Sequence, residues 1–408
     1  MTATEWSPAE AGLAADWTLV CSACGAGGEP AGLPTVCPGC GQPWLVRYPR
    51  RSHPCEARAT LGTGAGRADG ATDVPGEGMW RFRRFLPLFP GEPPVTLGEG
   101  GTPLLRLERT GRVLGLDQLW LKDESANPTG SFKARGLAMA VTRAAAGGAR
   151  SFVAPTAGNA GVALAAYAAR AGLAAKVFAP ATTPATILAQ MRVFGADIEL
   201  VEGHIGDCGR AAREHAARTG AFDVSTLREP YRIEGKKTLG LELAEQLGWT
   251  LPDAVVYPAG GGTGLIGMWL AFAELLAAGW VSGRPPRLFA VQSSGCAPVV
   301  RAVETRAERC EPWPDPWTIA SGLRVPNPLG GGLMLRAIRE TGGGAVAVGD
   351  RELAEQARLV SAREGVDLCP EGGATVAGAA VLRRSGLLGP DARVVLFNTG
   401  AGWLYRPG

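Results

Sequence analysis

From Leu119 to Phe397 the chain alternates short apolar runs with longer Ala-rich ones, and that alternation leaves few folds open. The runs Phe152–Pro155, Lys176–Ala179, Ile198–Val201, Ala254–Tyr257, Leu288–Gln292, Ala345–Val348 and Val394–Phe397 have the length of strands. Between them, Gly158–Ala171, Thr186–Phe194, Glu234–Leu247, Leu265–Ala278 and Arg351–Glu364 read as helices. A strand, a helix-length crossover and another strand is the pattern of parallel sheets with helices on both faces. Sheets of that kind carry their chemistry just beyond the carboxyl ends of the strands.

Four such ends carry unusual residues. The strand Leu119–Leu121 leads into a turn at Asn127–Pro128–Thr129–Gly130, where proline fixes φ and glycine frees it. A helix is expected next, capped by Thr129 or Ser131, with Lys133 on its first turn. A cation is disfavoured at a helix start. Lys133 is therefore either a solvated surface residue or an amine made less basic by the dipole and by burial, ready to form a Schiff base. Pro155–Gly161 follows a strand and opens a helix, so its N–H groups suit a carboxylate or phosphate, and Asn159 adds a side-chain donor. In Ala259–Gly264 the backbone is nearly bare, and several N–H groups can wrap a phosphate. That loop lacks the Lys and the spacing of nucleotide-binding loops, so a phosphate monoester fits it better. Thr399, at the last strand end, offers a neutral hydroxyl. An amine, an amide donor, a phosphate-sized loop and a hydroxyl match the aldehyde carbon, ring oxygen, phosphate and ring nitrogen of pyridoxal phosphate.

Near the start, Cys21, Cys24, Cys37 and Cys40 form C-x2-C-x12-C-x2-C, with Gly25 and Gly41 after the second Cys of each pair. These read as two knuckles aiming four thiolates at one structural Zn2+, with no open position for catalysis. Trp17, Trp44 and Tyr48 are expected to cover that small core. The remaining cysteines are scattered, which fits reduced thiols, and three histidines leave few candidates for His acid–base chemistry. A formal charge of +3 is too small to imply a nucleic-acid partner. Leu265–Trp280 is interrupted by Glu274 and reads as a buried helix, not a membrane span. Met1–Val20 has acidic residues and no basic start, so no secretory leader is read there and a cytoplasmic location is expected.

The motifs as they stand, Glu99–Leu107, Leu121–Gly136, Pro155–Gly161, Glu229–Thr238, Tyr257–Gly267, Pro370–Thr375 and Phe397–Gly402, make the chain resemble the fold-type II pyridoxal-phosphate enzymes, and within them the threonine synthases. The resemblance covers residues 78 to 408 and implies two open twisted α/β domains with the cofactor in the cleft between them. With it come expected boundaries: a zinc-ribbon segment 1–55, a linker 56–76, a large cofactor-binding domain 77–127 and 229–408, and a small α/β domain 128–228.

It also implies roles. Lys133 would hold the cofactor as a Schiff base and move protons, with Phe132 beside it. Asn159 would meet the ring hydroxyl, Gly260, Gly261, Gly262, Thr263 and Gly264 the cofactor phosphate, and Thr399 the pyridine nitrogen. Thr156, Ala157, Gly158 and Asn159 would take the amino-acid carboxylate, and Arg232, with Lys236 and Lys237, the substrate phosphate. Glu371 has no assigned role. The implied activity is that of a carbon–oxygen lyase acting on phosphates: O-phosphohomoserine and water give threonine and phosphate by β,γ-elimination and replacement. A serine/threonine dehydratase, or another β- or γ-replacement enzyme, is the alternative, and a binding protein that keeps the fold is a third reading. A homodimer is the expected assembly. Three positions depart from the commoner pattern: Ala134 in place of Asp, Ser125 in place of Gly, and Thr226–Leu227–Arg228–Glu229 where polar Asn/Ser residues often precede the Arg.

Overall fold

The computed structural model describes residues 13–49, 78–156 and 158–406. The expected linker 56–76, Ala157, Cys55 and the outer parts of segment 1–55 lie outside them.

The chain divides into two units. The first holds the described part of Met1–Gly101 together with Lys133–Thr238, and the second holds Thr102–Phe132 with Leu239–Gly408. The division therefore falls elsewhere than the expected 77–127 with 229–408 against 128–228. Residues 78–101 go with the first unit because their buried acids find partners there. Glu99 accepts from Trp80 Nε1 and Tyr167 Oη, each at 2.6 Å, and Glu92 takes Arg143 Nη1 at 2.6 and 2.7 Å on its two oxygens. The other boundary lies inside a continuous helix, Tyr231–Gln246, after Thr238, where no turn residue marks it.

In chain order the strands are β1 (Thr18–Cys21), β2 (Gly27–Gly28), β3 (Trp44–Arg47), β4 (Leu104–Arg106), β5 (Gln118–Asp123), β6 (Ser151–Pro155), β7 (Ala174–Pro180), β8 (Asp197–Val201), β9 (Phe222–Asp223), β10 (Ala254–Pro258), β11 (Arg287–Ser293), β12 (Gly344–Val348) and β13 (Arg393–Asn398). The first unit has a small antiparallel sheet, β2-β1-β3, and a parallel sheet, β8-β7-β6-β9. The second has one sheet, β12-β11-β10-β13-β5-β4, parallel except at β4. Every residue of β10 is buried, as expected of a strand covered on both faces. Val256, Phe289, Val291, Val394 and Leu396 share one core with Leu119 and Leu121. The helix Thr263–Ala277 is buried along most of its length, so the apolar run read around it belongs to this interior. No helix among the described residues is long and apolar enough to cross a membrane.

A charged group sits within the second unit's sheet. Lys122 on β5 is fully buried and donates to Glu242 Oε1 at 2.6 Å, Thr102 O at 2.6 Å and Gln246 Oε1 at 2.8 Å. Thr102 Oγ1 in turn donates to Glu124 Oε1 at 2.5 Å, and Asn127 Nδ2 donates to Glu124 O and Oε2, each at 2.9 Å. Asn398 Nδ2 donates to Asp123 Oδ1 at 2.9 Å. These bonds run without a break from the sheet into the turn that precedes Phe132. Removing one partner of a buried ion pair leaves the other charge uncompensated. Lys122→Met is therefore expected to lower the urea-unfolding midpoint by the equivalent of about 3–5 kcal/mol, and Lys122→Met/Glu242→Gln to recover much of it.

Candidate active site

In the second unit β10, β13 and β5 are neighbours and parallel, so their carboxyl ends share one edge. β10 ends in the turn Gly260–Gly264, β13 in Thr399, and β5 in the turn to Phe132. Pairing continues past the strand ends: Ser131 bridges Gly400, Phe132 N donates to Thr399 O at 3.0 Å, and Ala401 N donates to Gly130 O at 2.8 Å. This fixes Phe132 beside Thr399, and Lys133 is the next residue along the chain. The expected cap is not formed. The helix starts at Lys133, and the buried hydroxyls of Thr129 and Ser131 have no hydrogen-bond partner. Ser131 belongs to the segment that pairs with the residues just after β13, and Thr129 immediately precedes that segment.

The glycine turn is closely packed. A Cβ at Gly260 would lie 2.0 Å from Gly322 O, at Gly262 2.2 Å from Met334 Sδ, and at Gly264 1.9 Å from Tyr257 Oη. Gly262 also has φ +76, a left-handed value, and it stands at the N-terminus of the Thr263 helix with no side chain to cap it. A bare helix start of this kind favours an anion. Tyr257 packs edge-on against Phe132 at 6.1 Å and against Phe397 at 5.3 Å between ring centroids. Glu371 Oε1 accepts from Gly322 N at 2.7 Å, so this residue supports the segment that abuts Gly260, and its Oε2 has no partner. Cys369 Sγ lies 4.0 Å from Thr399 Oγ1. Burial pushes that thiol well above its ordinary range, so both groups at this corner are neutral.

In the first unit Lys133 opens a helix, Lys133–Ala146, that is buried all round after its first residue. This helix crosses the start of the Tyr231–Gln246 helix backbone to backbone. A Cβ on Gly235 would be 2.1 Å from Arg135 O, and one on Gly136 would be 2.9 Å from Lys236 Cε. The crossing brings Arg232 and Lys236 to the first turn of the Lys133 helix. Arg232, Lys236 and Lys237 are buried, which excludes a solvated helix start. Glu229 caps the Tyr231 helix by accepting from Tyr231 N at 2.7 Å and Arg232 N at 3.0 Å. Arg232 Nη1 donates to Val224 O at 2.7 Å, while its Nε has no partner. Lys237 Nζ is bound by Glu234 Oε2 at 2.7 Å. β6 and β9 are parallel neighbours, so the Asn159 loop and the segment leading to Arg232 leave one sheet edge. Thr156 Oγ1 is turned inward and accepts from Gly158 N and Gly161 N, each at 3.2 Å. It shapes the loop, and Asn159 is the first residue of the helix that follows.

The four cysteines meet as their spacing predicts, with all Sγ atoms within 4.8 Å of one another. The separations Cys21–Cys40, Cys24–Cys40 and Cys24–Cys37 are 3.4, 3.7 and 3.8 Å. A tetrahedron with metal–sulfur bonds of about 2.3 Å has edges of about 3.8 Å. Gly25 and Gly41 take φ +71 and +69 and return their N–H groups to Cys21 O and Cys37 O, at 3.2 and 2.8 Å, forming both knuckles. The aromatic residues do not act as expected together. Trp44 lies over Gly28 within the ribbon, whereas Trp17 packs on Phe89 and Tyr48 bonds Glu234.

Sequence reasoning missed the capping role of Glu229, the placing of Cys369 beside Thr399, and the buried pair Lys122–Glu242. A Lys inside an apolar strand and a Glu before a helix were the available signals.

The bare glycine turn, the unpartnered buried hydroxyls and the neutral corner at Thr399 fit a phosphate-bearing heteroaromatic cofactor. The family model described as pyridoxal-phosphate dependent enzyme matches residues 95–400. The threonine synthase of Methanocaldococcus jannaschii is 35% identical over 326 residues, 80% of this chain and 80% of that protein. That of Mycobacterium leprae is 36% identical over 322 residues, 79% of this chain and 86% of that protein. Among solved structures, maize serine racemase superposes with a TM-score of 0.65 at 22% identity over 74% of this chain and 88% of that one. The processed form of threonine deaminase isoform 2 from Solanum lycopersicum does so with 0.64 at 22% over 74% and 79%. The chain belongs to the pyridoxal-phosphate dependent enzymes of fold-type II and, within them, to the threonine synthase family.

Burial holds the Glu229 carboxyl up at about 7, against an ordinary 4.5, with the Arg232 charge opposing the rise. The folded state therefore keeps a proton that the unfolded chain loses between pH 4.5 and about 7, so this group's contribution to stability falls as pH rises through that window. Urea midpoints followed over that range should show this slope in the parent and a flatter one in Glu229→Gln.

Proposed function

We propose that this chain converts O-phosphohomoserine and water to threonine and phosphate, as a pyridoxal-phosphate-dependent lyase. The observation that carries the reading is the shared edge of β10, β13 and β5, which delivers Gly260–Gly264, Thr399 and the Phe132–Lys133 link together. The kinship with threonine synthases supports the substrate.

When bound, pyridoxal phosphate supplies an electron sink for the bonds at the substrate's Cα. Lys133 would hold it covalently, and its amine would take the proton from the substrate's Cα and return protons later in the sequence. The N–H groups of Gly260–Gly264 bind its phosphate, Asn159 its ring oxygen, and Thr399 its ring nitrogen. A neutral hydroxyl there does not force the nitrogen to carry a proton, which keeps the electron demand moderate. Phe132 and Tyr257 pack their rings edge to face and are buried beside this corner. The loop from Thr156 to Asn159 takes the amino-acid carboxylate. Arg232 and Lys236 meet the substrate phosphate, which leaves from Cγ. Lys237 is reassigned, because its charge is already matched by Glu234. The four thiolates hold one structural Zn2+, supported by their near-tetrahedral separations. The resemblance alone supports a cytoplasmic homodimer.

Steady-state assay of the purified holoenzyme on O-phosphohomoserine is expected to release phosphate and threonine in equal amounts. Formation of 2-oxobutanoate from threonine, with no phosphate release, overturns the reading in favour of a dehydratase. Lys133→Ala should lower turnover at least about 100-fold. It should also abolish the attachment of cofactor to the chain that borohydride produces in the parent.

Metal analysis of protein purified without chelator should find about one zinc per chain, and stripping it should lower the thermal midpoint. Protein that carries no metal, or whose midpoint is unmoved by stripping, would remove the structural role.

A further inference from the structure

The ribbon touches both helices that carry the candidate cations. Tyr48, next after β3, donates to Glu234 Oε2 at 2.5 Å, the oxygen that also binds Lys237. The Lys237 ammonium lies 4.5 Å from the Tyr48 ring centroid. Tyr231 Oη donates to Pro30 O at 3.1 Å. At the other end of the Lys133 helix, Gly147 faces the Gly32 carbonyl, 2.5 Å from where a Cβ would stand. Arg143 of that helix lies over Trp17, Phe89 and Tyr231, with centroids at 5.0, 4.9 and 5.4 Å, and Glu92 holds its guanidinium.

These contacts divide the Tyr231 helix by face. Glu234 and Lys237, three apart, share the side that meets the ribbon, while Arg232 and Lys236, four apart, share another. Lys236 is the residue packed on Gly136. The four-thiol cluster connects to Tyr48 through the paired strands β1 and β3. Cys21 ends β1, and β1 pairs with β3 from Cys21 opposite Trp44 to Thr18 opposite Arg47, the residue before Tyr48.

We propose that the ribbon is a positioning element of the reaction: through Tyr48, Glu234 and Lys237 it fixes the rotation of the Tyr231 helix, and so the direction in which Arg232 and Lys236 meet a phosphate. This rests on the assignment of those two cations to the substrate phosphate. Lys237 is then a positioning residue, with its charge spent on Glu234 and the Tyr48 ring.

Tyr48→Phe tests this in the holoenzyme, because it removes the hydroxyl and keeps the ring and all four thiols. The dissociation constant of inorganic phosphate by calorimetry and KM for O-phosphohomoserine should each rise by about three- to tenfold, with kcat and metal content unchanged. Lys237→Met should give a similar rise, and the double variant should be no worse than the more affected single one, since both act through one contact. Lys237→Met lies away from the thiols and decides the matter if Tyr48→Phe sheds metal. Phosphate affinity and KM within about twofold of the parent in both singles overturn the proposal, and so do fully additive losses, which place Lys237 on the phosphate itself. A parent that neither binds phosphate nor turns over O-phosphohomoserine overturns the substrate reading, and this proposal with it.

Discussion

Two helices of the first unit touch backbone to backbone, and the chemistry assigned there depends on that contact. Gly235 packs on the carbonyl of Arg135 with no room for a methyl group. Larger residues in helix crossings hold axes 8–10 Å apart as a rule. A glycine crossing brings them nearer, so the first turn of one helix lies against the first turn of the other. Gly136, in the same turn as Lys133, thereby lies against Arg232 and Lys236, although about 100 residues separate them. Burying so many cations at helix starts is unfavourable by itself. The unit offsets this with acids that are as deeply buried: Glu229 on the N–H groups of the Tyr231 helix and Glu234 on Lys237. Arg232 keeps one guanidinium nitrogen without a partner, which is what an incoming anion requires.

The second unit meets a different requirement. Its three strand ends must present backbone N–H groups and neutral hydroxyls without collapsing onto one another. Tyr257, Met334 and Gly322 pack so closely on the glycine turn that no side chain fits at Gly264, Gly262 or Gly260, and Glu371 bonds Gly322 in turn. On the β5 side the bonds from Glu242 through Lys122, Thr102 and Glu124 to Asn127 set the turn. Within that chain Lys122 and Glu242 pair with each other, and Glu124 is held by Thr102 and Asn127. Preorganised donors of this kind need no rearrangement when a charge develops on the ligand.

Much of this was legible in the sequence, and the reasons differ by element. β10 and β13 announce themselves because both faces are buried and the runs are unbroken. The glycine turn was legible because bare backbone after a strand has few other uses, and the thiolate knuckles because spacing alone sets their geometry. β9 was not legible, being two residues long. The boundary inside the Tyr231 helix was hidden because a continuous helix carries no punctuation. The capping of the Lys133 helix was misread since a hydroxyl at the right offset is no evidence that it turns toward the helix. Thr129 and Ser131 lie at a segment, Gly130–Phe132, whose backbone pairs with the residues just after β13, and tertiary pairing took precedence over local capping.

The three departures from the commoner motif pattern can now be ranked by physical consequence. Ser125 is harmless, since its φ is not in the positive region where glycine is needed, and its N–H bonds Asp123 Oδ1 at 3.1 Å. Ala134 is fully buried, so an acid at that position would have to be paired; its absence leaves the start of the Lys133 helix more positive and does not touch Lys133's own attachment. Leu227 is different. It holds φ 64, a left-handed conformation that asparagine tolerates better than leucine, while its side chain is buried. Such a residue carries a strain of order 1 kcal/mol that its surroundings must offset. It sits five positions before Arg232, in the segment whose Val224 carbonyl fixes that guanidinium. The two departures at the cofactor end therefore carry no structural cost, whereas the one that carries strain lies in the segment where the substrate phosphate is assigned to bind.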